Sequence, residues 1–209
     1  NLFFHDVQNK NRRHKKLGID NLFLESALDQ VEVGNTVNII PRKRDTYRQD
    51  ERNKGIQNYE ELIEKLTDQG QKIFLFGSDE SYLKNYNKNV TNKISDKISL
   101  NEQAAITSLC NVTISPDTGA NHLSLAYGVP LIVSMNKNTK FGFLDKSNRR
   151  HYLPGNAFNP LKTEVDVVHS RNFTKTNGKI MDIFIKKNEK WKNAKQSPMI
   201  VEFPATIND

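Results

Sequence analysis

Between Gly34 and Asn136 the chain switches repeatedly between two hydrophobic periods. "NTVNIIP" (35–41) is a short apolar-rich run closed by Pro41, and "KIFLFG" (72–77) is another closed by glycine. Runs of this length bounded by breakers predict strands buried on both faces. Between them, "IQNYEELIEKLTDQG" places Ile56, Tyr59, Leu62, Ile63 and Leu66 at helical spacing, with Gly70 as the stop. "SDESYLKNYN" (78–87) starts as a capped helix, Ser78 being the cap and Asp79 and Glu80 lying in the first turn. "KISLNEQAAITSLC" predicts a helix from about Leu100, and "NVTIS" (111–115) a strand. "SPDTGANHLSLAYGVPLIV" (115–133) then reads as a strand end, a tight loop, a helix, a glycine stop and a new strand. Strand and helix alternate four times with short connections. The fold class this predicts is α/β, a Rossmann-like parallel sheet with helices on both faces.

Outside that stretch the pattern weakens. Residues 1–33 hold the basic "NKNRRHKKLGID" and "NLFLESALDQVEV", a short helix or an edge strand, and read as a basic lead-in or linker rather than core. Residues 34–170 form the Rossmann-like domain; in its last part, "KFGFLDKSNRRHYLPGNAFNP" is loop-like and "TEVDVV" is a short helix or strand. Residues 171–209 supply an amphipathic helix around Ile180–Trp191 and a tail.

Composition narrows the partners. Apolar residues make up only 36% of the 209, but they cluster into runs, as in a folded core rather than a disordered chain. The net charge of +7 and a pI of about 9.4 suit an anion: nucleic acid, a nucleotide phosphate or an acidic membrane surface. A generic basic surface explains the same balance. Cys110 is the single cysteine, which excludes an internal disulfide and a cysteine zinc site; it closes an apolar helical pattern and is expected in the core, and a reducing compartment fits. No apolar run reaches the length of a membrane-spanning helix, and the N-terminus lacks the order of charge, apolar core and cleavage site of a signal peptide. Glycosylation sequons at Asn89, Asn111 and Asn172 are expected by chance in so asparagine-rich a chain.

In a parallel sheet, ligands bind where strands end and loops enter helices. Three such ends carry polar residues: Arg42–Gly55, Gly77–Glu80 and Pro116–His122. The third is the most concentrated. Gly119 lets a ligand approach the backbone, and the helix start behind it favours an anion, best a phosphate. Thr118 adds a hydroxyl, and His122 lies one turn into the helix facing the loop. Asp117 repels phosphate, so it either caps the helix or accepts from the hydroxyls of a neutral ligand part such as a sugar. An ordinary helix start with a satisfied histidine accounts for the same residues. The "DTG" triplet occurs once, which excludes the paired carboxylates of an aspartic protease. Neither a P-loop nor a G-x-G-x-x-G motif is present.

The stretch "LNEQAAITSLCNVTISPDTGANHLSLAYGVPLIVSM" resembles the nucleotide-sugar half of glycosyltransferase family nine, the heptosyltransferases of GT-B architecture. Leu100, Asp117, Thr118, Gly119, His122, Gly128 and Pro130 carry the match. "NTVNIIP", "NYEELIEKLTDQGQKIFLFGS", "NRRHKKLGID" and "KFGF" (140–143) are similar to neighbouring segments of that family, so the resemblance covers about residues 10–145. It implies that the Thr118–Gly119 backbone holds the donor diphosphate, that His122 supports the loop or reaches the phosphates, and that Asp117 contacts the donor sugar. Arg52 falls where the family carries a phosphate-binding lysine, with Lys54 behind it. The first loop departs from the family in its many cations, so Arg42, Lys43, Arg44 and Arg48 compete for that role. Glu80 would reach the ribose, and the backbone around Ile98 and Leu100 would line the base.

The resemblance implies a glycosyltransferase donor-binding domain. It would transfer a sugar from a nucleoside-diphosphate sugar to the hydroxyl of a glycan, glycolipid or protein acceptor, inverting and without a metal. The nucleotide sugar is a co-substrate and no cofactor is expected. The family's general base sits in a preceding acceptor-binding half, so the catalytic residue stays open and the chain is expected to be incomplete alone. The implied location is cytoplasmic, or peripheral to the inner face of the membrane. Two other readings remain: a non-catalytic nucleotide-binding module, and a basic nucleic-acid-binding protein using "NKNRRHKK" and "RKRDTYRQDERNK". The second lacks stacking aromatics interleaved with the basic residues.

Overall fold

The alternating pattern becomes six parallel strands. They are β1 (Thr36–Ile39), β2 (Lys72–Leu75), β3 (Val90–Asn92), β4 (Val112–Ser115), β5 (Leu131–Asn136) and β6 (Val165–Ser170), in the order β3-β2-β1-β4-β5-β6. The computed structural model describes residues 19–43, 53–77, 86–94, 98–136, 159, 161–170 and 173–196. The helices among them are α1 (Asn21–Leu28), α2 (Glu60–Asp68), α3 (Leu100–Leu109), α4 (Asn121–Tyr127) and α5 (Phe173–Gln196), with a 3-10 turn at Ile56–Asn58 before α2. The Rossmann-like class and the two-sided cover are as expected. The helix from Ser78 lies outside the described residues.

Period-two alternation in β1 and β4 sends side chains to two different cores. Val37, Ile39, Val112 and Ile114 meet Ile56, Tyr59, Leu62, Ile63 and Leu66 of the first helical segment and Ile180, Met181, Phe184 and Trp191 of α5. On the other face, Ile40, Phe74 and Phe76 pack with Ala27, Val31, Ala105, Ile106 and Cys110, and farther along Leu131, Val133 and Met135 pack with Leu125 of α4. Part of the segment set apart as a lead-in therefore touches the core: α1 forms, capped by the Asp20 carboxylate accepting from Leu22 N–H at 2.9 Å, and buries Ala27.

The strands are not apolar on both faces. Thr36, Asn38, Thr113 and Ser115 are buried on the α3–α4 side. Asn38 Nδ2 donates to Thr107 Oγ1 and Thr113 Oγ1, each at 3.4 Å, and the Ser124 hydroxyl donates to Thr113 Oγ1 at 2.8 Å. Satisfying buried polar groups in this way joins α3 and α4 to the central strands directionally.

Two glycines fix where elements end. At Gly77 a Cβ would overlap the Pro41 carbonyl oxygen, so only glycine lets the end of β2 pass the end of β1. Gly128 adopts the left-handed conformation (φ 70°) that closes α4.

The ambiguous "TEVDVV" segment is strand β6, and α5 is longer than its apolar stripe, clamped back on β6 by charge. Lys187 Nζ lies 2.7 Å from Glu164 and 2.6 Å from Asp166, Lys190 Nζ 3.0 Å from Glu164, and Trp191 Nε1 donates to Glu164 at 3.2 Å. Burial pushes the Glu164 carboxyl up, but the bonds from Lys187, Lys190 and Trp191 and the Lys187 charge outweigh it and hold its pKa at about 2. The sequon at Asn111 is inaccessible: the side chain is fully buried and Nδ2 donates to the Gly34 carbonyl at 2.8 Å. Among the described residues no helix is long and apolar enough to cross a membrane.

Candidate functional site

The strand order reverses between β1 and β4. From β1 the sheet grows through β2 to β3 on one side, and from β4 through β5 to β6 on the other. Connections leave the two central strands toward opposite faces, which opens a crevice at their carboxyl ends where ligands of such sheets bind.

The β1 side of this crevice is cationic. Ile40 N–H still pairs with the Ile114 carbonyl at 3.0 Å; Pro41 then ends the ladder and Arg42 turns away. Arg42 and Lys54 exchange backbone bonds, Arg42 N–H to Lys54 O at 2.9 Å and Lys54 N–H to Arg42 O at 2.8 Å, closing the intervening loop at its neck. Both side chains are largely enclosed, at 7% and 4% exposed. Burial lowers the Lys54 amine to about 8, because the charged form loses hydration. An anion placed against it would raise that pKa again by favouring the charged form.

The β4 side is the Pro116–Ala120 loop, held from within. The fully buried Asn121 accepts the Ser115 hydroxyl at Oδ1 (2.5 Å) and donates from Nδ2 to the Pro116 carbonyl (3.0 Å). From the opposite face of the sheet, the Ser134 hydroxyl donates to the Ser115 carbonyl at 3.3 Å, and the Tyr59 phenol meets Ser134 Oγ at 3.0 Å. Burial pushes the Tyr59 phenol far up, with Ser134 pulling the other way, so it stays neutral and serves as a hydrogen-bond link. The outward side of the loop carries Asp117 and Thr118, both half-buried, and exposed Gly119. A Cβ built on Gly119 meets nothing within 4 Å, so the space in front of its backbone is open.

One premise of the sequence reading differs. The helix start does not present a row of free N–H groups. The N–H groups of Asn121, His122 and Leu123 donate to the carbonyls of Thr118, Gly119 and Ala120 at 3.1, 3.1 and 3.0 Å. The tight 3-10 geometry of this first turn consumes them, so any anion contact falls to the loop ahead of the helix.

Of the expected site residues, Asp117, Thr118, Gly119 and His122 share that loop and the first turn of α4, and Lys54 with Arg42 stands at the neighbouring strand end. Ile98 and Leu100 flank the cap of α3, where Ser99 Oγ accepts from Glu102 N–H at 3.1 Å. They lie on the same carboxyl rim, Ile98 half-buried and Leu100 67% exposed. Arg52, Glu80, Arg44 and Arg48 lie outside the described residues. Asn121, Ser115 and Ser134 were not singled out in the sequence, and Tyr59 was read only as part of the apolar stripe of the first helical segment; the one visible signal was a polar strand end, Ser115, ahead of an asparagine six residues on.

A polar cleft of about 340 Å³ occupies the opposite, amino edge of the sheet, lined by residues such as Leu28, Glu32, Lys72 and Lys88. It shares no residue with the rim.

The E. coli ADP-heptose LPS heptosyltransferase II has this fold, with a TM-score of 0.60 at 13% identity over 87% of this chain and 55% of that one. A glycosyltransferase family 9 protein from Veillonella parvula matches with a TM-score of 0.51 and 15% identity, over 92% of this chain and 58% of that one. The chain thus spans a little over half the length of either. No curated protein matches the sequence. The model of glycosyltransferase family 9 (heptosyltransferase) matches residues 2–164, most of the 209, and the chain belongs to that family.

Proposed function

We propose that the crevice between β1 and β4 holds the diphosphate of a nucleoside-diphosphate sugar, in a domain that serves sugar transfer to an acceptor hydroxyl. The observation that carries this reading is the meeting of two features at the switch of strand order: an enclosed Arg42–Lys54 neck and an open, internally braced Asp117–Gly119 loop. An enclosed amine at the end of one strand and an approachable backbone at the end of its neighbour are suited to an anion rather than to a neutral ligand.

In this reading Lys54, with Arg52 from the same loop, neutralises phosphate charge. The Thr118–Gly119 backbone lies along the diphosphate and His122 supports it from the first turn of α4. Asp117 accepts from hydroxyls of the donor sugar; Glu80, Ile98 and Leu100 receive the nucleoside. The acceptor hydroxyl gives its proton to a general base as its oxygen attacks the anomeric carbon and the bond to the diphosphate oxygen breaks, inverting that carbon. Negative charge then gathers on the leaving diphosphate, where cationic side chains stabilise it without a metal. The acceptor is a glycan, glycolipid or protein hydroxyl. The basic balance of +7 supports work beside an acidic membrane surface at the cytoplasmic face.

The test is a titration of the chain with ADP, GDP and UDP, each against its own nucleoside. At least one diphosphate is expected to bind more tightly than its nucleoside. Lys54→Met should weaken that diphosphate by about tenfold or more, as expected for losing a charge-assisted contact, and leave the nucleoside unchanged. Absence of binding by all three, or equal losses for diphosphate and nucleoside, would overturn the proposal.

A further inference from the structure

Asn121 is a fully buried polar side chain with both ends of its amide in use. Its oxygen receives the Ser115 hydroxyl and its nitrogen donates to the Pro116 carbonyl, while its backbone N–H donates to the Thr118 carbonyl at 3.1 Å. These three bonds reach the residue before the loop, its first residue and its third, so one side chain and its own amide set the curvature of the Pro116–Ala120 turn. Ser115 is fixed in turn, because the Ser134 hydroxyl, backed by Tyr59, holds its carbonyl. Asn121, Ser115, Ser134 and Tyr59 are all buried, whereas Asp117 and Thr118 are half-buried and Gly119 is exposed.

We propose that Asn121 is a positioning residue for donor binding: by tying Ser115 and Pro116 to the start of α4 it fixes the Asp117–Gly119 backbone in the shape that accepts the diphosphate. The inference rests on the donor-site reading above. Binding geometry of this kind is sensitive to shifts of about half an ångström in the supporting shell. An alanine at 121 keeps the helix but leaves the Ser115 hydroxyl and the Pro116 carbonyl without their buried partner. The loop is then free to relax outward, and the loss falls on the part of the ligand that the loop touches.

The expected signature separates positioning from mere stability. In the full chain, Asn121→Ala should weaken the tightest of ADP, GDP and UDP by about tenfold or more and leave its nucleoside unchanged, at a temperature well below unfolding. Ser115→Ala, which removes one hydroxyl only, should move the same ratio in the same direction by a smaller factor; it also decides the matter if Asn121→Ala does not fold. Asn111→Ala, another fully buried asparagine but at the amino edge, should lower Tm and leave the ratio where it was. A diphosphate-to-nucleoside ratio equal to that of the unsubstituted chain in the folded variants overturns the inference while leaving the donor site standing. An unsubstituted chain that binds none of the three diphosphates overturns the donor reading, and this inference with it.

Discussion

In the proposed site, Lys54 would make anion binding depend on pH. Its amine titrates near 8 when the site holds no anion, and a bound diphosphate favours the charged form. Affinity should therefore change little between pH 7 and 8, decline as pH rises through 8, and level off above the pKa of the liganded state. In Lys54→Met the decline should vanish; a titration at pH 7, 8 and 9 with both chains checks this. Gly119 offers a sharper probe. The space before it is open and its φ is not positive, so Gly119→Val should fold normally yet put a branched side chain where a ligand would lie. Diphosphate affinity is expected to fall about tenfold or more, against a Tm change of a few degrees; unchanged affinity would place the ligand elsewhere. Asp117, Thr118, Gly119 and His122 could be grouped from the sequence because they are contiguous. Asn121 could not: asparagine is ordinary at a helix start, and its role appears only once the strand register turns the Ser115 hydroxyl toward it.

Elements that were long and periodic were legible. The stripe Ile56, Tyr59, Leu62, Ile63 and Leu66 is buried throughout, as its spacing demanded. β3 has three half-buried residues and no periodic pattern to detect, and β6 was ambiguous because Asp166 interrupts its valines. That aspartate is explained by Lys187 of α5, a partner twenty-one residues away. The clamp has a pH signature. Glu164 has a folded pKa of about 2 against an ordinary 4.5, so its contribution is complete above pH 4.5 and is lost as pH falls toward 2. Glu164→Gln should lower Tm at pH 7 by about 2–4 °C, the scale for about 1 kcal/mol from a network that solvent still reaches. The difference between the two chains should close near pH 2. At the other end of the sheet, Gly77→Ala forces a methyl group against the Pro41 backbone, which cannot yield as a side chain would. A loss of about 1–3 kcal/mol is expected. Because Pro41 leads into Arg42, diphosphate affinity should fall with it; thermal unfolding and titration of the same variant check both.

For the whole molecule, the parallel α/β class followed from the alternation of periods, but the strand order did not. Four strand–helix repeats are compatible with several orders, and the reversal at β1 and β4 depends on which face each crossover takes. That choice is made by packing: Ala27 and Val31 of the segment set apart as a lead-in sit against Phe74, Phe76 and Ile106, and α5 covers the other face beside α2. The proposed site depends on this order, since the Arg42–Lys54 neck and the Asp117–Gly119 loop leave the sheet from adjacent strands only when β1 pairs with β4. The central claim is thus one of location, and amide hydrogen exchange of the full chain tests it most directly, with and without a saturating amount of whichever of ADP, GDP or UDP binds most tightly. Protection is predicted at Thr118–Ala120 and around Arg42 and Lys54, with no change at Lys72, Lys88 and Thr91 on the amino edge. Protection at the amino-edge cleft with none at Thr118–Ala120 would contradict the account.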